Sequence, residues 1–122
     1  MLFLLLFRRE YVGHGTITDS SNNIFVILVG GAGDPGTFYD NVDKYDVQND
    51  SWESMNPYFS QTTAVSGLSF MEGGKRRLLM SGGLGFTQIY EYHVDSDSWS
   101  LVADYPAGGT DFDGLTTILF NK

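Results

Sequence analysis

The sequence predicts an all-β protein built from two consecutive four-stranded antiparallel units, with a third unit beginning near the C-terminus. Three observations lead there. The first is a repeated block. Tyr45-Asp-Val-Gln-Asn-Asp-Ser-Trp52 returns as Tyr92-His-Val-Asp-Ser-Asp-Ser-Trp99, with the tryptophans 47 residues apart. The second is an apolar run that ends in a glycine pair. Residues 24–29 run into Gly30-Gly31, and residues 78–81 run into Gly82-Gly83, 52 residues later. The third is composition: 15 glycines, 15% aromatic residues and only 3 prolines favour short strands and tight turns.

The elements can be placed in order along the chain. It has 122 residues and 42% apolar content, which suits one small domain and excludes a disordered tail. Residues 1–12 form an apolar leader in which residues 2–7 precede Arg8 and Arg9. The basic pair comes after the run, and no small-residue cleavage site succeeds it, so a signal peptide is a poor fit. The run is also too short to span a bilayer. A buried strand and an unrelated leader are the readings left. The first unit, 13–64, divides into strands at 13–19, 24–30, 41–48 and 51–55. The second, 65–112, divides at 65–71, 76–82, 88–94 and 98–102. Residues 19–23 and 72–75 read as hairpin turns, as do Asn49-Asp50 and Ser96-Asp97. Gly15 stands 15 residues before Gly30, and Gly67 stands 15 before Gly82, so the two are expected to mark one structural place. Gly114 stands 15 residues after Trp99, as Gly67 does after Trp52. Residues 113–122 therefore read as the first strand of a third unit. No segment has convincing helical periodicity.

This pattern resembles the kelch repeat. Its marks are a glycine pair closing the second strand, a Tyr in the third and a Trp opening the fourth. Here they are Gly30, Gly31, Tyr45 and Trp52, then Gly82, Gly83, Tyr92 and Trp99. The resemblance covers about residues 13–120 and implies an incomplete kelch-type β-propeller, with two four-stranded blades and part of a third. It also implies that these eight residues are structural. A blade has two apolar faces and must stack on neighbours. Tyr and Trp supply large buried area with a polar tip, and paired glycines admit a close backbone. Propellers have four to eight blades, so the missing ones would come from a longer chain or from self-assembly.

The sequence also holds fragments of several chemical motifs. Gly31-Ala-Gly33-Asp-Pro-Gly36 has the spacing of a dinucleotide loop, but that loop must open a helix at its phosphate site. The segment after it, residues 37–49, is rich in Asp, Thr, Tyr and Asn without helical period, so no nucleotide site is expected. Asp95-Ser-Asp97 lacks the Gly and Glu that a calcium loop needs at its sixth and twelfth positions. His14 and His93 stand alone, with no Cys or second His nearby, and no nucleophile elbow surrounds Ser66. With no cysteine in the chain, thiolate chemistry is excluded, as is the copper–tyrosine chemistry of kelch-like galactose oxidase. The expectation is a non-catalytic module without cofactor or metal. The alternative is part of a propeller-borne enzyme or carbohydrate-binding domain whose site lies in absent blades.

The net charge of −8 disfavours nucleic acid and anionic membranes as partners and favours a protein with a basic patch. Lack of cysteine is compatible with the cytoplasm, the slightly favoured compartment. In kelch proteins the loops joining strands two and three share a face with those joining blades, and that face binds partners. Here these are residues 32–40 and 84–87, with 56–63 and 103–111. The candidate partner-binding residues in them are Asp34, Phe38, Tyr39, Tyr58, Phe59, Phe86, Tyr105 and Asp111. Aromatics supply contact area and carboxylates steer a cationic partner. The competing expectation is that each aromatic tucks between blades.

Overall fold

The computed structural model describes residues 9–34 and 36–104. Eight strands fill them: β1 (Gly13–Thr18), β2 (Ile24–Val29), β3 (Val42–Asp46), β4 (Ser51–Met55), β5 (Val65–Glu72), β6 (Lys75–Gly82), β7 (Gln88–His93) and β8 (Ser98–Asp104). They form two four-stranded antiparallel sheets, each in sequence order, β1-β2-β3-β4 and β5-β6-β7-β8, and neither is closed. Every expected strand within the described residues is present, with its ends moved by no more than two residues. The expected strand of a third unit lies outside the described residues.

The turns explain why the strands stop where they do. Gly73-Gly74 joins β5 to β6 as a two-residue hairpin, and both glycines have positive φ (60° and 79°), as the tight primed turns require. The β1–β2 turn is longer. Asp19 Oδ1 accepts the backbone N–H of Ser21 and of Asn23, each at 2.9 Å, so one carboxylate replaces turn bonds that no ladder can supply.

The two sheets stack face to face, with β1 packed on β5 and β6. Alternation fixes which side chains meet. The first sheet turns Ile17, Phe25, Ile27, Val29 and Val42 inward, and the second answers with Val65, Leu78, Met80 and Tyr92. Gly15 and Gly67 lie in this interface. A Cβ on Gly67 would strike the His14 carbonyl, and one on Gly15 would strike the Leu78 side chain. The missing side chains bring the two strands close enough for Ser69 to join them: its hydroxyl donates to Thr16 O and accepts from Thr16 N, both at 2.8 Å.

This placement corrects the expected equivalence of Gly15 and Gly67. Gly15 pairs with Ile27, three residues before Gly30, whereas Gly67 pairs with Met80, two before Gly82. A one-residue difference in register reverses the face. The two glycines therefore look at each other across the interface from different sheets. The equal spacing of 15 hid this because the two hairpin turns differ in length.

The described part of the leader belongs to the fold. Glu10 and Ala32 exchange two backbone hydrogen bonds of 2.8 Å. The Arg9 side chain is fully buried and donates to Asp43 Oδ2 at 2.6 Å and to Asn41 O at 3.2 Å. Tyr11 and Ala64 share a left-handed backbone (φ 56° and 59°) just ahead of β1 and β5. The chain thus enters both sheets by the same bend.

Candidate functional site

Alternating strand direction gathers the β2–β3 loop (30–41), the β4–β5 connector (56–64) and the β6–β7 loop (83–87) at one end of the stacked sheets. Thr62 is the pivot and is fully buried. Its N–H donates to Tyr39 O at 3.1 Å, and its carbonyl accepts the Gly31 N–H at 2.9 Å. Its neighbour Thr63 accepts the Leu84 N–H at 3.0 Å. The connector therefore stitches the first sheet's loop to the second's. It also accounts for the glycine pairs. A Cβ on Gly30 would lie 2.7 Å from Thr62 O, and one on Gly83 would lie 2.8 Å from the Thr62 side chain. Gly31 (φ 113°) and Gly83 (φ 103°) add a backbone conformation that side chains oppose.

The loop aromatics divide by accessibility. Tyr58 is 3% exposed and wedged among Phe59, Tyr90 and Trp99, with ring centroids 4.7, 5.9 and 5.2 Å away. Burial pushes its phenol far above the ordinary tyrosine range, and its hydroxyl has no hydrogen-bond partner among the described residues. Its side chain packs and offers no contact surface. Phe59 stacks on Tyr90 at 4.6 Å and meets Phe86 edge-on at 5.0 Å, yet it is 36% exposed. Phe38 and Leu84 are exposed to a similar degree, Phe86 is half-buried and Asp34 is exposed. Tyr39 is half-buried and pairs with Thr62 through its backbone. Tyr105 and Asp111 lie outside the described residues.

These three loops contain no Lys, Arg or His, while Asp34 and Asp40 lie in them. Gly31-Ala-Gly33 opens a small turn in which the Gly33 N–H donates to Thr37 O and the Thr37 N–H to Asp34 O, each at 2.9 Å. The chain then enters β3, so no helix N-terminus forms there for a phosphate. Among the described residues no three metal-ligating side chains group together.

The Tyr and Trp of each repeat flank the β3–β4 and β7–β8 turns. Tyr45 and Trp52 are cross-strand partners with rings 5.0 Å apart, and Tyr92 and Trp99 repeat this at 4.7 Å. Each tyrosine hydroxyl donates to an aspartate five residues on: Tyr45 to Asp50 at 2.7 Å, Tyr92 to Asp97 at 2.8 Å. Both aspartates have φ 51°. In the second repeat Asp97 also accepts the Asn56 N–H at 3.0 Å. Asn56 Nδ2 donates to Asp97 O at 2.7 Å, and Trp99 Nε1 donates to Asn56 O at 3.4 Å. The set is a seat for the end of the preceding sheet. The sequence marked Tyr, Trp and the turn, but not Asn56. The Asn-Pro pair at 56–57 signals a strand end without saying what the Asn will touch.

No protein-family model matches the chain, and no curated protein matches it.

Proposed function

We propose that the chain is a kelch-type propeller segment whose loop end binds a basic stretch of a protein partner, without catalysis. The kelch reading is supported by the geometry that recurs with the Gly-Gly, Tyr and Trp marks. Both glycine pairs close on the Thr62 connector, and both Tyr–Trp pairs carry an aspartate on the tyrosine hydroxyl. The observation that carries the binding site is the loop end itself. Phe38, Phe59 and Leu84 present partly exposed apolar surface, and the same set of loops holds Asp34 and Asp40 and no cationic side chain. Aromatic rings and carboxylates together suit Arg or Lys side chains, which stack on the ring and pair with the acid.

An array of 12-residue peptides graded in Arg and Lys content tests this. Retention is expected to rise with basic content and to fall at least fivefold in Phe59→Ser or Asp34→Asn, with far-ultraviolet circular dichroism unchanged. Retention insensitive to both substitutions would reject the loop end as the site. Tyr58 is unsuitable for this test, because its loss would open the core.

A further inference from the structure

We propose that two copies of the chain associate through their β8 strands, antiparallel about Ser100, to form one continuous sheet. Among the described residues β8 is the outer edge of its sheet, with backbone groups directed away from β7. It also carries two consecutive exposed apolar side chains: Leu101 is 58% exposed and Val102 is 52% exposed. Such an edge is a template for another strand.

Register decides what the strand would be. Val102 is the extra residue of a bulge, since Tyr90 faces Leu101 while Ile89 faces Ala103. The bulge ends the regular run, leaving Ser98–Val102 to pair. A two-fold axis perpendicular to the sheet must pass through a residue, so that opposed side chains share a face. Centred on Ser100, it sets Trp99 opposite Leu101 of the other copy, twice. Ser98 then meets Val102, and Ser100 meets its own image. No charge faces a charge, and each exposed Leu101 gains an indole partner.

The other outer edge shows why β8 is distinctive. By the 47-residue repeat, Glu53 on β4 stands where Ser100 stands on β8. The same symmetric pairing of β4 would set Glu53 against Glu53. Like charges directly opposed are destabilising, so the first sheet closes the route that the second leaves open. The surface used is distinct from the loop end.

Sedimentation of the full chain over about 10–500 µM, the range suited to a small interface, tests the proposal. The expected result is a concentration-dependent monomer–dimer equilibrium that tightens with salt, because two copies of net charge −8 repel. Ser100→Glu, which copies the β4 residue, should raise the dimer Kd at least tenfold with unchanged circular dichroism. Ser100→Glu mixed with Ser100→Lys should restore association, although each alone is monomeric. Phe59→Ser should leave the dimer intact, which separates this site from the loop end. A folded wild-type monomer at every concentration, or a dimer indifferent to Ser100→Glu, overturns the proposal.

Discussion

The two sheets carry the same sequence marks, but only the second holds a described neighbour in its Tyr–Trp seat. Tyr92 is 1% exposed, and Asn56 from the first sheet docks on Asp97 and Trp99. Tyr45 is half-buried, and Trp52 Nε1 is buried with no hydrogen-bond partner among the described residues. The motif alone therefore sets the local geometry of tyrosine, aspartate and tryptophan, and stacking sets how much stability they carry. The same hydrogen bond weighs more where water is excluded.

The largest expected effect breaks the stacking itself. Gly67→Ala places a methyl against the His14 carbonyl, and backbone cannot step aside as a side-chain tip can. The cost is expected at about 3 kcal/mol, the upper end for overpacking. Gly73→Ala is the control: nothing lies within 4 Å of its Cβ, so only the strain of φ 60° remains, about 1 kcal/mol. Urea midpoints of the two variants measure the difference. Equal losses would mean that β1 and β5 are not in close contact.

A smaller effect sharpens the comparison of the seats. Tyr92→Phe should cost roughly 1.5 kcal/mol and Tyr45→Phe roughly 0.5 kcal/mol, since one hydroxyl is lost from a covered site and the other from an exposed one. Asn56→Ala should reproduce most of the Tyr92 loss, and the double variant should lose less than the sum, because both act through Asp97. Strict additivity in thermal unfolding would count against a shared seat.

How much was legible depends on range. Strand positions depend on alternation and on turn residues close in sequence, and the eight strands stand where those signals set them. The share of the loop end given to packing was not legible, because Tyr58 meets Tyr90 and Trp99 across more than thirty residues. Thr62 carries no composition cue at all. It is a threonine in a polar connector, made central only by the glycines that close on it. Residue counting misaligns Gly15 and Gly67 because it cannot see that one hairpin turn spans five residues and the other two.

The last effect, which vanishes in acid, concerns one pair of matched positions with opposite chemistry. Lys44 in β3 lies over the Phe25 ring at 4.7 Å, whereas the residues standing at these places in the second sheet, Glu91 and Arg77, form an ion pair of 2.6 Å. The hydrogen bond from Arg77 holds the Glu91 carboxyl below its ordinary value of 4.5, against the opposing pull of burial. A carboxyl depressed in the folded state contributes stability above its unfolded pKa and loses it as the pH falls through the folded one. Glu91→Gln should therefore cost roughly 1 kcal/mol at pH 7, and the gap to wild type should close as the pH drops below 4.5. Lys44→Gln loses an ion pair of 3.3 Å with the largely exposed Glu53 and part of the pull that lowers Asp46, so its deficit should be smaller at pH 7 than that of Glu91→Gln and should also close in acid. Thermal unfolding of both variants between pH 7 and pH 3 separates the sheets. A Glu91→Gln deficit that persists in acid would assign the loss to packing on the face of the second sheet, not to charge.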